Sequence, residues 1–167
     1  MRVTLGLVVL LATLASVDAV AQDTVFLVRH AERADAGMAS AGAAVSDPDL
    51  SAEGRARADS LAMMLEDANV TAIYATEFKR TQQTAAPLAK ALGLTVTIVK
   101  AADSTKLMEA LKSSAGNVLV VGHSNTVPDV VRFLGVRASI TIGEAEYDNL
   151  FVVTTGAEPR MIRLRFR

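Results

Sequence analysis

The 167-residue chain contains no cysteine. That excludes disulfides, thiolate metal sites, a cysteine nucleophile and a lipid-anchored cysteine. An excess of charge is missing too: 17 Lys and Arg face 18 Asp and Glu, a formal net charge of −1. A near-neutral protein lacks the electrostatic footprint of a nucleic-acid binder or of a protein held on an anionic membrane surface. No internal repeat is visible. Histidine is scarce, with two in the whole chain, His30 and His123.

Long apolar runs are also rare. One stands out, "VTLGLVVLLATLA", directly behind the positive start Met1-Arg2. "SVDAVAQD" follows, with small residues at Ala19 and Ala21 in the A-x-A pattern of a signal peptidase site. The sequence therefore predicts a signal peptide over residues 1–21 and an exported, periplasmic or extracellular, domain over 22–167. A membrane anchor is the competing reading. The run falls short of the roughly 20 apolar residues a span needs, and no cationic stop-transfer flank follows it. Loss of residues 1–21 removes Arg2 and Asp18 together, so the net charge does not change. An exported domain without disulfides must be held by its core alone, which the many Val, Leu, Ile and Ala residues allow.

What is present after the signal is an alternation of short β-branched runs and longer amphipathic ones. Strands are predicted at Val25–Val28, Ala72–Ala75, Thr95–Val99, Val118–Val121, Leu150–Thr154 and Met161–Phe166. Helices are predicted from Ser51 to about Ala68, at Phe78–Leu92, at Ser104–Lys112 and at Thr126–Leu134, with Gly93 and Gly135 as stops. That order argues one three-layer α/β/α domain with a mostly parallel central sheet. The last two strands lack an intervening helix and should form an antiparallel C-terminal edge hairpin. In "MIRLRF" the alternation of Ile162, Leu164 and Phe166 with Arg163, Arg165 and Arg167 reads as a last strand whose charged outer face discourages edge pairing. A basic binding stripe is the rival. Ala34–Ser46, rich in Ala, Gly and Ser, reads as a loop long enough to serve function.

In open α/β sheets ligands bind beyond the carboxyl ends of the strands. The first strand delivers Arg29-His30 there, and the fourth delivers Gly122-His123-Ser124-Asn125. After the second, "IYATEFKRTQQTA" brings Arg80 on an early helix turn. Both histidines of the chain thus follow apolar strands, with two arginines close by. Guanidinium forks grip phosphate or carboxylate oxygens bidentately, and a neutral imidazole is a competent nucleophile toward phosphorus. A metal site would need three or four ligands. The two histidines and Glu32 reach three, against the repulsion of the flanking arginines. "GHSNT" resembles a nucleophile elbow, but its closing glycine is replaced by Thr126 and no histidine follows Ser124. Phosphoryl transfer to histidine, with arginines neutralising the charge and no metal or cofactor, uses every unusual residue.

These residues resemble the histidine phosphatase superfamily, which includes the phosphoglycerate mutases and the histidine acid phosphatases. Its Arg-His-Gly signature is met by Arg29-His30-Ala31. Its Ser-x-x-x-Arg-Thr-x-x-Thr-Ala signature is met by Thr76-Glu77-Phe78-Lys79-Arg80-Thr81-Gln82-Gln83-Thr84-Ala85. Its strand ending in Gly-His is met by "VLVVGHSNTVP", and "LSAEGRARA" looks like its first helix opening. The resemblance implies a phosphoglycerate mutase-like fold and a small phosphorylated substrate. It also implies His30 as the nucleophile that becomes phosphohistidine. Arg29, Arg80 and His123 would contact the phosphoryl group, with Asn125 as a further ligand. Arg33 is expected in a rim salt bridge with Glu32 or Asp35. The family's general acid has its nearest match in Asp103, which could equally be the N-cap of the helix beginning near Ser104. Asp129 and Glu146 stand in reserve. Ser124 stands where the acid-phosphatase branch has an aspartate, which argues against that branch. Hydrolysis is the expected reaction. A mutase or phosphotransferase on the same site, and a phosphate- or phosphosugar-binding protein without turnover, are the alternatives.

Overall fold

The computed structural model describes residues 23–35 and 47–166. The predicted signal peptide and most of the Ala34–Ser46 loop lie outside the described residues. The elements run β1 (Thr24–Arg29), α1 (Ala52–Leu65), β2 (Val70–Ala75), α2 (Lys79–Leu92), β3 (Val96–Ile98), α3 (Ser104–Ser113), β4 (Asn117–Gly122), α4 (Thr126–Phe133), β5 (Asn149–Thr154) and β6 (Arg160–Arg165). The strands form one sheet in the order β3-β2-β4-β1-β5-β6. Strands β1, β2, β3 and β4 are mutually parallel, whereas β5 runs antiparallel to β1 and to β6. The mostly parallel α/β/α domain with an antiparallel edge hairpin is therefore present.

Alternation along β1 explains the two layers of core. Phe26 and Val28 pack with Leu61 and Leu65 of α1 and Ala85 and Leu88 of α2. Val25 and Leu27 face the other way, onto Leu111 of α3 and Val127, Val130 and Val131 of α4. A strand buried on both faces reads as a continuous apolar run, which is what "VFLV" is.

Helix ends follow local chemistry. The Ser51 hydroxyl accepts from Gly54 N at 3.0 Å and opens α1. The helix stops at Leu65, earlier than the sequence suggests, because Asn69 takes a left-handed turn (φ 51°) into β2. Gly93 closes α2 with φ 65°, a conformation that costs glycine nothing. At the sheet edge the expectation for β6 holds in part. Arg163 and Arg165 are paired with Glu146, and Arg165 also with Asp148, so the apparent basic stripe is neutralised. Ile162 and Leu164 stay 61% and 43% exposed. They share a face with Val152 and Leu150, but the outermost strand takes its packing chiefly from β5 and gains little from the helices.

One close approach ties α1 to the exit of β1. A Cβ on Gly54 would overlap the Glu32 carbonyl oxygen and stand 3.0 Å from Glu32 N. In an exposed helix Gly→Ala gains up to about 1 kcal/mol. Here overpacking against rigid backbone costs about 1–3 kcal/mol, so the sign should reverse. Gly54→Ala is expected to lower the urea unfolding midpoint, and a more stable variant would contradict the contact.

Candidate active site

The parallel pairing of β1 with β4 runs to the strand ends, Arg29 opposite Gly122, and His30 N donates to Gly122 O at 2.9 Å. The two histidines therefore leave neighbouring strands side by side, with ring centroids 5.4 Å apart. The segment after β2 is extended at Phe78 and brings three side chains to the same place. Thr76 Oγ1 lies 3.0 Å from His123 Nε2. The Phe78 ring stands edge-on to His123 at 5.4 Å, and the Arg80 guanidinium lies 4.3 Å over Phe78.

Arg29 is buried and held by backbone oxygen. Its Nη1 donates to Gly143 O at 2.7 Å and Glu144 O at 3.0 Å, and its guanidinium lies 4.4 Å over the Tyr147 ring. Tyr147 also stands 5.9 Å from His30. Thr84 links α2 to the loop after β1: its hydroxyl accepts from Ala31 N at 2.9 Å and donates to Arg80 O at 2.7 Å. The Nε atoms of Arg29 and Arg80 are buried and find no hydrogen-bond partner among the described residues. Buried donors without partners are rare and ask for an explanation.

His30 is almost fully buried, and its Nδ1 lies 2.8 Å from Ala31 O. A carbonyl can only accept, so Nδ1 holds the hydrogen and Nε2 the lone pair. Burial is the main force on its titration. It pushes the imidazole down to about 3 despite the Ala31 bond, helped by the charges of His123, Arg80 and Arg29. His123 is pushed down to about 4, again by burial first, then by Arg80 and Arg29, with Glu77 opposing. The site thus keeps its imidazoles neutral and its positive charge on guanidinium groups. Burial also lowers Arg80, where Arg33 and Arg29 repel it and Asp47 and Asp35 oppose that repulsion. Asp47 lies 3.7 Å from Arg80 and its carboxylate accepts from Lys79 N at 3.0 Å.

The structure brings Arg29, His30, Arg80 and His123 together. It places the other candidates elsewhere. Asp103 is an N-cap, accepting from Lys106 N at 3.1 Å. With Asn125 it lines a pocket of about 140 Å³ between β2, α3 and α4, beside Thr76 and Gly122. Asp129, also on that pocket, pairs with Arg132 at 2.9 Å. Glu146 accepts from Gly143 N at 2.8 Å and pairs with Arg165. Glu32, weighed as a metal ligand, is bonded through both carboxylate oxygens to Arg57 at 2.8 and 2.9 Å. Arg33 is locked to Asp35 at 2.8 and 2.7 Å. Among the described residues no cluster of three or more His, Asp or Glu stands at metal-ligand spacing.

Sequence reasoning assigned no role to Thr76, Thr81, Thr84 or Phe78, although all four stand inside the quoted "TEFKRTQQTA". It also missed the Gly143–Tyr147 segment, which has no regular structure and no motif to announce it.

The sequence model of the Histidine phosphatase superfamily (branch 1) matches residues 25–105. This is the family that the motifs around His30 and Arg80 resemble. The matched span holds Arg29, His30 and Arg80; His123 lies outside it and is joined to it by the sheet. Among solved structures, this chain is similar to the protein histidine phosphatase SixA complexed with tungstate. They share 18% identity with a TM-score of 0.65, over 85% of this chain and 96% of that one. It is also similar to a mycobacterial glucosyl-3-phosphoglycerate phosphatase complexed with VO3, at 15% identity and a TM-score of 0.63, over 86% and 98% of the two chains. At such identities the likeness is one of fold. No curated protein matches the sequence significantly.

The neutral imidazoles set a pH dependence. Both titrate near 6.5 when unconstrained and far lower in the fold. Between about pH 6.5 and 4.5 the unfolded chain binds protons that the folded one refuses, so stability falls as pH drops through that window. Urea midpoints of the phosphate-free protein should decline from pH 7 to 4.5, and His30→Gln should flatten the decline. A wild-type midpoint constant over that range would contradict the depressed titration.

Proposed function

We propose that this protein is a phosphomonoester hydrolase that works without a metal through a phosphohistidine on His30. The observation that supports it best is the pair of neutral imidazoles set beside two guanidinium groups whose buried Nε donors are unspent. His30 Nε2 has the lone pair needed for attack, because the Nδ1 hydrogen is committed to Ala31 O. In the first half-reaction an N–P bond forms, the ester P–O bond breaks, and the leaving oxygen takes a proton. In the second, water attacks the same phosphorus, the N–P bond breaks, and phosphate departs. Arg29 and Arg80 stabilise the charge spread over the equatorial oxygens, and their guanidinium groups are already held by Gly143, Glu144 and Phe78. His123 contacts the transferring group from the neighbouring strand.

Water is the favoured acceptor, in keeping with the solved structures of similar fold that are phosphatases. A small phosphorylated substrate is in keeping with the phosphatases of similar fold, among them one acting on a glucosyl-3-phosphoglycerate. Export, with residues 1–21 as the signal and 22–167 as the phosphatase domain, completes the proposal.

A chromogenic phosphomonoester assay tests it. Wild type should turn over, and His30→Ala should abolish hydrolysis; tight phosphate binding by a wild type that never turns over would overturn the enzyme reading. Arg80→Ala should cost about 2.7–4 kcal/mol of transition-state stabilisation, the range for preorganised oxyanion donors. A wild-type rate would remove Arg80 from the site. Chelator should leave the rate intact, and loss with recovery on adding a divalent ion would restore the metal reading.

A further inference from the structure

The hydroxyl groups around His123 allow its hydrogens to be counted. Thr81 is fully buried, and its single hydroxyl hydrogen is directed at two carbonyls, Phe78 O at 2.7 Å and Thr76 O at 3.0 Å. A carbonyl cannot donate, and it is a better acceptor than a neighbouring hydroxyl, so the Thr81 hydrogen is committed there. Thr81 Oγ1 also lies 2.9 Å from Thr76 Oγ1. With its own hydrogen spent, Thr81 can only accept in that contact, and Thr76 is the donor. Thr76 Oγ1 is then left with lone pairs alone toward His123 Nε2 at 3.0 Å. Nε2 must supply the hydrogen. The reverse chain, in which Thr81 donates to Thr76 and Thr76 to Nε2, would take the side-chain donor away from both carbonyls.

We propose that Thr76 and Thr81 are positioning residues: their hydroxyl relay fixes His123 as the Nε2–H tautomer and reserves Nδ1 for the proton of the bound phosphoester. Nδ1 makes no hydrogen bond among the described residues. His30 is set the opposite way, Nδ1–H with Nε2 free, so the two rings offer unlike nitrogens. This inference rests on the phosphatase reading for its chemistry and gives it a proton carrier in the role expected of Asp103, which is engaged as a helix cap. A phosphomonoester monoanion brings one proton. Nδ1 takes it, then returns it to the ester oxygen as the P–O bond breaks, leaving His123 neutral with its lone pair restored. When water attacks the phosphohistidine, its proton passes to Nδ1 as the N–P bond breaks, and solvent or the departing phosphate collects it. No other reactant is required. The groups facing His123 suit an imidazole that cycles in this way. His30 and Arg29 come from the β1 exit, and Glu77 and Arg80 from the segment after β2. The charges of Arg29 and Arg80 bear on both imidazoles, and that of Glu77 on His123. Thr126 of α4 holds its backbone, accepting from His123 N at 2.7 Å.

Two histidines make the test simple. Long-range ¹⁵N–¹H spectra of histidine-labelled protein at pH 7, without phosphate, should show one Nδ1–H ring and one Nε2–H ring. Loss of one set in His123→Gln identifies the second. An Nδ1–H tautomer at His123 overturns the relay. Thr81→Val frees the Thr76 hydrogen for Nε2, and should convert His123 toward Nδ1–H while kcat falls about tenfold with little change in KM, one net hydrogen bond's worth. Thr81→Ser should behave as wild type. An unchanged spectrum and rate in a folded Thr81→Val rejects the proposal; should that variant not fold, the wild-type tautomer still decides. A wild type that never turns over, yet shows Nε2–H at His123, removes the phosphatase reading and leaves the relay standing.

Discussion

The site depends on the last rung of one parallel strand pair. Because His30 N is bonded to Gly122 O, β1 and β4 release their chains at the same height, and the residues that follow cannot drift apart. Each strand is buried on both faces, so neither can slide without exposing core side chains on two layers at once. The geometry of two imidazoles 5.4 Å apart is thus set by core packing several residues away. Catalytic precision of this kind comes from a rigid scaffold rather than from the loops that line a site.

Electrostatics divides the labour between residue types. Imidazoles lose their charge on burial, whereas guanidinium groups keep theirs because their intrinsic basicity is far higher. A pocket that places both together has a permanent positive field and two lone-pair nitrogens at neutral pH. Arrival of a phosphate dianion changes the balance in favour of protonating an imidazole, since an opposite charge at contact distance stabilises the cation. The arrangement is therefore responsive to its ligand without moving any backbone.

Most of this architecture was legible in the residues. The β-branched runs located all six strands within a residue or two, and Gly93, Ser51 and Asp103 marked helix ends by the same local chemistry found in the fold. Arg29, His30, Arg80 and His123 were legible because strand exits are where such a sheet binds ligands. What was not legible lives in tertiary contacts. A carboxylate's partner decides whether it can act as an acid, and Asp103, Asp129, Glu146 and Glu32 found theirs in a backbone amide or an arginine that sequence order does not identify. The carbonyl cradle of Arg29 belongs to a stretch without secondary structure, where periodicity is silent. The exposure of Ile162 and Leu164 likewise depends on how far helices reach across the sheet, a property of no single segment.

Arg57 joins parts of the chain made at very different times. From α1 it bonds Glu32, just after His30, and donates to Phe166 O beyond β6 at 2.9 Å. Strand β5, which flanks β1, and the Gly143 and Glu144 carbonyls that hold Arg29 also come late. A nascent chain displaying "RHAER" on a ribosome thus has His30 but none of the C-terminal contacts that orient its surroundings. The contacts that orient the two imidazoles and Arg29 are complete only once the C-terminal strands have been made, so synthesis itself works as a timing device for assembly of the site.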